Sequence, residues 1–485
     1  MSGAQRARAI QGVMSTGNAQ LDEILGGGLP EGGTMVVAGP PGSGKTLLAL
    51  EMVFAAAKSG VTVVYVTTLS EPSLRLLHHA EQFGFFDADL ADRQVDFMDV
   101  GSLLLSSAED ALSAVIERVR DRGAALVVID SFSAIHDVLP SRADARAFVY
   151  RLIVTLESMA ATTLLLGSYS PEDFSLLPEF AIADGVLHLD SKHDELASVR
   201  QLEVLKLRGR AFVGGVHSFD ITSSGLSVFP RVRAPDAAAT TAIAERAPTG
   251  VPGLDDLFSG GLPVGSATLV QGSTGTGKTI LSLAFLLEGA RHGEPGIYFG
   301  MDETPAEIRE LGRTLGWDLA SLEEQGLLLL HFTSPVELSP DRYLYEVRGE
   351  VKRRRARRVV VDSLSAMETG VSSARRFKDL IYSLSKHMRA SGATLLMLME
   401  VPEMLGTVQL TGHAVSSISD NVVLLRYIEV GARLGKAITV LKARGVAHQT
   451  ELRSYVVGTG GPQVDKPFLG LRGVLTGLPT PAPET

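Results

Sequence analysis

Six stretches of the chain are almost continuously apolar: Val61–Val66, Ala125–Ile129, Thr162–Gly167, Gly296–Phe299, Arg358–Val361 and Ala393–Met399. A strand with one wet face alternates apolar and polar side chains, so runs without alternation predict strands covered on both faces, as in a parallel sheet flanked by helices. Between them lie helical patterns such as Leu47–Lys58 and Ile280–Arg291. The predicted fold class is therefore α/β. Arg231 to Pro248 is rich in Ala, Pro and Thr and reads as a linker, which places one domain at 1–235 and a second at 236–465. The remaining segment, 466–485, ends in Pro479-Thr-Pro-Ala-Pro-Glu-Thr485, which cannot form helix or sheet interior and reads as a loose tail.

The linker separates two copies of one sentence. Gly39-Pro-Pro-Gly42-Ser43-Gly44-Lys45-Thr46 and Gly272-Ser-Thr274-Gly275-Thr276-Gly277-Lys278-Thr279 both fit GxxxxGK[ST]. In this P-loop, backbone N–H groups and a helix N-terminus hold the phosphates of a nucleoside triphosphate. Each loop opens one of the helical stretches and follows a matching lead-in, Gly27-Gly28-Leu29-Pro30 or Gly260-Gly261-Leu262-Pro263. The register holds far downstream: the two lysines are 233 residues apart, Asp130 and Asp362 are 232 apart, and the Lys-x-Arg-Gly stretches at Lys206 and Lys442 are 236 apart. The chain is an internal duplication, and the expected architecture is two tandem RecA-like P-loop NTPase domains.

The motifs define a chemistry. Lys45 and Lys278 are placed to reach the β- and γ-phosphates of ATP, and Thr46 and Thr279 to put a hydroxyl on Mg²⁺. Asp130 and Asp362, at the ends of apolar strands, are expected to hold the same ion, most often through water. After the strand ending at Phe299 comes Gly300-Met-Asp302-Glu303-Thr-Pro305, a carboxylate pair in which one member can act as general base; Glu303 is also a candidate Mg²⁺ ligand. In the first half the stretch reads Leu69-Ser70-Glu71-Pro72. Counting from the P-loop lysine aligns Leu69 and Ser70 with the acidic pair, whereas counting back from Phe83-Gly84 and Leu315-Gly316 aligns Ser70 and Glu71. Either way the first position has lost its carboxylate, which points to a first half that binds ATP and hydrolyses it poorly. Lys206 with Arg208, and Lys442 with Arg444, sit two apart on expected strands, so each pair shares a face. Such charges suit the γ-phosphate of an adjacent subunit, and the implication is an oligomer.

Composition narrows the field. The 485 residues are 45% hydrophobic and 21% charged, ordinary for a globular protein, and no apolar run reaches membrane-spanning length. The first twelve residues carry arginines without a signal-peptide core, so the expected location is the cytoplasm. Without cysteine there is no disulfide, thiolate metal site or cysteine nucleophile. A net charge of −10 weighs against nucleic acid as partner and so against a DNA-dependent helicase-like motor. The dense cationic run Lys352–Arg358 reads first as a solvated helix C-terminus and second as a subunit interface.

Taken together, the lead-ins, P-loops, acidic pair, Asp130-Ser-Phe-Ser and Asp362-Ser-Leu-Ser segments and Lys-x-Arg-Gly repeats resemble the KaiC family of clock ATPases and autokinases over nearly the whole chain. The resemblance implies a double-ring homo-hexamer with ATP at the subunit interfaces, and a second domain that phosphorylates its neighbour on adjacent hydroxyls ahead of an Ile-Ser/Thr-Asp turn. Here those are Ser416 and Ser417, with Asp302, Glu303, Lys278, Lys442 and Arg444 as the catalytic set. KaiB-like or other signalling proteins follow as partners by the same resemblance. Two departures stand out: the first domain lacks the family's paired glutamates, and the short Pro-rich end differs from the tail that recruits KaiA. A non-catalytic nucleotide-gated scaffold is the competing reading.

Overall fold

The structure, a computed structural model, describes residues 12–69, 72–194, 197–232, 245–371, 373–401, 415–430, 433–468, 471–472 and 480–481. It divides into two compact units, Met1–Arg231 and Val232–Thr485.

The first unit is built on a nine-stranded sheet. Its strands are β1 (Thr34–Ala38), β2 (Val63–Thr67), β3 (Val95–Asp99), β4 (Leu126–Asp130), β5 (Thr162–Gly167), β6 (Gly185–Asp194), β7 (Ala197–Leu207), β8 (Val216–Thr222) and β9 (Gly225–Phe229). The spatial order is β9-β8-β7-β6-β1-β5-β4-β2-β3. The five strands β1 to β5 run parallel, β6 runs parallel to β1, and the hairpin-connected β7, β8 and β9 extend the sheet antiparallel. The apolar runs behave as their lack of alternation requires, for every residue of β1, β2, β4 and β5 is buried.

The second unit repeats this plan. Its strands are β10 (Ala267–Gly272), β11 (Gly296–Gly300), β12 (Leu328–Phe332), β13 (Arg358–Asp362), β14 (Thr394–Glu400), β15 (Asn421–Val430), β16 (Arg433–Ala443), β17 (Arg453–Gly458) and β18 (Gly461–Pro467). Read from the antiparallel edge the order is β18-β17-β16-β15-β10-β14-β13-β11-β12, the first unit's order with each number raised by nine. In both units the P-loop strand lies at the middle, where successive strands depart to opposite sides; open α/β sheets bind ligands at the carboxyl end of such a switch point. Helices Lys45–Lys58 and Lys278–Arg291 leave the loops largely embedded, with Leu48, Met52, Val53 and Phe54 in one and Leu281, Leu283, Phe285 and Leu286 in the other buried.

Three details differ from the sequence reading. Arg246–Ala247 pairs antiparallel with Leu262–Pro263, so the final residues of the Arg231–Pro248 stretch are structure of the second unit. Thr480–Pro481 bridges Leu471–Arg472, an isolated pair whose two-residue length a proline can tolerate. The cationic run also divides. Lys352, Arg353 and Arg355 are exposed at the end of helix Pro340–Arg354, as a solvated C-terminus should be. Arg358, by contrast, is 1% exposed. Its guanidinium stacks on Phe285, pairs with Glu294 at 2.7 Å and donates to the Pro248 and Phe285 carbonyls, which compensates a buried charge that would otherwise be costly. Among the described residues no helix is long and apolar enough to cross a membrane.

Candidate functional site

Each P-loop runs from the end of its central strand into the N-terminus of its helix. The turn closes on Gly44 and Gly277, which cap those helices in the left-handed region at φ 96° and 103°. A side chain at either place would be strained by that backbone, so glycine is required there. The lysine ammonium then curls back under the loop: Lys45 Nζ donates to the Gly39 and Pro40 carbonyls at 2.9 and 2.8 Å, and Lys278 Nζ to the Gly272 and Ser273 carbonyls at 2.7 and 3.1 Å. The Ser43 and Thr276 N–H groups bond back to the Pro40 and Ser273 carbonyls at 3.3 Å, and a loop wound in this way is the form that makes an anion-binding nest. Ser43 and Thr276 are buried within the two loops, and Thr276 closes its own turn by donating to the Ser273 carbonyl. Burial lowers the affinity of both lysines for their proton, while Asp130 opposes this in the first site and Glu400, Asp362 and Asp302 oppose it in the second.

Beside each lysine stands a hydroxyl–carboxylate pair. Thr46 Oγ1 donates to Asp130 Oδ2 at 2.8 Å and Thr279 Oγ1 to Asp362 Oδ2 at 2.7 Å. The same carboxylate oxygens accept from Tyr65 and Tyr298 at 2.9 and 2.8 Å. These tyrosines lie on the β2 and β11 runs, where the sequence marks them only as core residues. Burial raises the Asp362 carboxyl above its usual range, against the Thr279 and Tyr298 hydrogen bonds that favour its charged form. One hydroxyl and one carboxylate are hard oxygen donors of the kind Mg²⁺ takes alongside phosphate and water, so the residues fit that ion. Among the described residues no cluster of three or more His, Cys, Asp or Glu side chains forms an all-protein metal cage.

The two sites part at the neighbouring strand end. Met301 N donates to the Asp362 carbonyl, and Thr68 N donates to the Asp130 carbonyl, so Met301 corresponds to Thr68 and Asp302 to Leu69. The following helices are capped by Thr304 and Pro72, which sets their register one residue differently. The first unit thus carries one extra residue in this loop, and each way of counting is right for its own side of the insertion. Ser70 and Glu71 lie outside the described residues. In the second unit Ser363 Oγ donates to Asp302 Oδ2 at 2.7 Å, and burial, reinforced by Asp362, Glu307 and Asp302, raises the Glu303 carboxyl above its usual range. In the first, Ser131 and Ser133 share a 2.8 Å hydrogen bond with each other.

A further carboxylate was not singled out by the sequence. Glu400 ends β14 beside the second loop, its N–H held by Ser365 Oγ at 2.9 Å and its carboxylate accepting from Thr274. Ser168, whose N–H is held by Ser133 Oγ, occupies this place in the first unit. Lys436 was also missed; on β16, it donates to the Gly275 carbonyl at 2.8 Å. Beside the first loop a cavity of about 270 Å³ runs from Gly44–Leu47 past Leu50, Leu76, His79 and Phe83.

The Lys-x-Arg pairs lie elsewhere. A bulge precedes Lys206 on β7 and Lys442 on β16, and Arg208 and Arg444 stand one residue beyond those strands. Arg208 N donates to the Asp184 carbonyl, and Asp184 N to that of Thr34, the first residue of β1; Arg444, Asp420 and Ala267 repeat the chain of contacts. Each pair is therefore at the opposite end of the central strand from its own P-loop, roughly 13–17 Å away along the strand axis at the usual rise per residue. Lys206 and Arg208 both donate to the carbonyls ending helix Pro178–Ile182. Lys442 does the same for Val415–Ile418, through the Ser416 and Ser419 carbonyls at 2.9 and 2.6 Å. This helix carries Ser416 and Ser417, of which Ser417 is exposed; Phe180 and Ala181 stand in their places in the first unit, with Phe180 buried. Thr411 to Ala414 lie outside the described residues.

Comparison with known proteins bears on both units. A family model described as "ATPase: KaiC" matches residues 14–233 and again 247–467. The "Circadian clock oscillator protein KaiC" of Picosynechococcus sp. is 30% identical over 490 residues, covering 97% of this chain and 93% of that protein. The protein of the same name from Thermostichus vulcanus is 30% identical over 95% of this chain and 90% of its own length. "Circadian clock oscillator protein KaiC 1" of Synechocystis sp. is 29% identical with the same coverage.

Proposed function

The chain belongs to the KaiC ATPase family, and from that premise we propose that it is an ATP-dependent homo-hexamer whose second domain is a serine autokinase and whose first domain binds nucleotide chiefly to hold the ring. The observation that carries this reading is the asymmetry of two sites whose lysine, threonine–aspartate and tyrosine contacts match: Asp302, Glu303 and Glu400 stand beside the second P-loop where Leu69 and Ser168 hold the places of Asp302 and Glu400 in the first.

In the second site Lys278 and the loop N–H groups bind the β- and γ-phosphates of ATP. Thr279 and Asp362 would hold Mg²⁺, which when bound draws charge off the phosphate oxygens. Asp302, oriented by Ser363, or Glu303, whose raised pKa brings it nearer neutrality, takes the proton from the attacking hydroxyl. The serine oxygen forms its bond to the γ-phosphorus as the bond from that phosphorus to the β,γ-bridging oxygen breaks, and ADP leaves with the electron pair. The acceptor serines and the Lys442–Arg444 pair share the far end of the sheet, so both reach a γ-phosphate only across a subunit interface. Arg444 has Asp420 as a resident partner at 3.9 Å and, being largely exposed, can exchange it for phosphate. In the first site the cavity beside Gly44–Leu47 offers apolar walls and the His79 ring to a nucleobase. The phosphorylation state of the ring would be read by signalling partners of KaiB type.

Incubation with Mg-ATP, followed by intact-mass measurement and peptide mapping, tests the proposal. Phosphate on Ser416 and Ser417 is the expected result; a protein that binds ATP and assembles but gains no phosphate is the nucleotide-gated scaffold instead. Assembly is a separate expectation. ATP with Mg²⁺ should convert monomers to hexamers in multi-angle light scattering, and Lys206→Ala/Arg208→Ala should shift that conversion to at least about tenfold higher protein concentration, since charge-assisted contacts to phosphate carry 1.5–3 kcal/mol each. A particle that stays monomeric in saturating ATP contradicts it.

A further inference from the structure

Glu400 has no counterpart in the first unit and is not needed to cradle phosphate, yet it sits where its charge acts on the cradle. Its carboxylate accepts from Thr274, inside the loop, and its backbone is fixed by Ser365. Of the carboxylates that favour the charged form of Lys278, it acts more strongly than Asp362 or Asp302, against the burial that dominates that lysine's environment. Unlike Asp362, it lacks a threonine–tyrosine pair arranged around a metal position. The exposed Ser168 in the equivalent place makes the first site a built-in reference lacking this charge.

We propose that Glu400 is a specificity-determining residue that sets the preference of the second site between ATP and ADP, by competing for Lys278 and repelling the additional negative charge of a γ-phosphate. The inference rests on the reading of this loop as an ATP site. A carboxylate held by Thr274 inside the loop makes the third phosphate less welcome than the first two. ADP leaves Lys278 on the Gly272 and Ser273 carbonyls and within the attraction of Glu400, whereas ATP requires the ammonium to turn to the γ-phosphate in the face of the carboxylate. The second site then holds ATP less firmly, relative to ADP, than the first.

Calorimetric titration with Mg-ADP and with the Mg-complex of the β,γ-imido analogue of ATP tests this without turnover. In full-length protein carrying Lys45→Ala, which silences the first loop, Glu400→Gln should tighten the triphosphate analogue by at least about tenfold, the effect of one unit charge within about 12 Å at an effective dielectric near 20, and ADP by less than threefold. The reciprocal change, Ser168→Glu in a Lys278→Ala background, should weaken the triphosphate analogue at the first site more than ADP. Glutamine preserves the shape of Glu400 and its acceptor oxygen for Thr274, and Ser168 is exposed, so neither change disturbs a core. Equal tightening of both nucleotides, or an unchanged ratio in both backgrounds, overturns the role of Glu400 while leaving the ATP site standing. Failure of either nucleotide to bind at millimolar concentration with Glu400 intact overturns both.

Discussion

Neutralising the acidic pair with Asp302→Asn and Glu303→Gln is expected to lower phosphate incorporation at Ser416 and Ser417 by about 10²- to 10⁴-fold, the usual contribution of a positioned general base. The change is close to isosteric. Ser363 Oγ, which donates to Asp302 at 2.7 Å, finds an amide oxygen in the same place, and the helix beginning at Pro305 keeps its cap through Thr304 and Glu307. Neither carboxylate lies in the loop that curls around Lys278, so ATP binding should survive or tighten as negative charge is removed. Single-turnover transfer from labelled ATP, measured beside nucleotide binding, separates chemistry from affinity. Undiminished incorporation in the double variant would remove both carboxylates from the mechanism.

Lys278→Ala is the second large effect. It should lower ATP turnover by about 10²-fold or more, as removal of a preorganised charge contact to the transition state does. Lys45→Ala should leave most turnover per assembled ring intact and raise the protein concentration needed for assembly. The two lysines are nearly equivalent in their own geometry, each bridging two loop carbonyls within 3.1 Å. Any difference between the variants must come from what faces the lysine. ATP hydrolysis measured above the assembly concentration of each variant decides the point, and retention of most activity by Lys278→Ala would reverse the assignment of roles.

The sequence carried the topology well because the duplication supplied its own control: a spacing that recurs after about 233 residues is hard to obtain by chance, and unalternating strands leave little choice but a covered parallel sheet. It could not resolve the loop after β2, where two counting anchors disagreed. The cause is an insertion lying between them, visible once Met301 and Thr68 are matched through their bonds to the Asp362 and Asp130 carbonyls. The Asp-Ser-x-Ser segments were legible as a motif but not as a mechanism. Only side-chain geometry shows Ser363 and Ser365 reaching Asp302 and Glu400, and Ser131 and Ser133 turning to each other. Glu400 escaped notice because nothing local marks a strand-end glutamate, and comparison with Ser168 needs the register of the sheet. Tyr65 and Tyr298 were hidden by their own apolar runs, since a buried tyrosine reads as core until its hydroxyl is seen on a carboxylate.

The placement of each Lys-x-Arg pair at the far end of the sheet from its own P-loop makes a mixed population informative. If each pair serves a neighbour's site, the contact is head-to-tail, and a subunit would give its loop to one neighbour and its cations to the other. Protein with Lys278→Ala keeps sound cations, and protein with Lys442→Ala/Arg444→Ala keeps a sound loop. In that arrangement neither alone would build a complete second site, yet an equal mixture reassembled from monomers would pair a sound loop with sound cations at about a quarter of its seams if subunits mix at random. Activity recovered on mixing two inactive proteins, following the product of their two fractions and greatest at equal mixing, would be the signature of a catalytic unit that no single chain possesses.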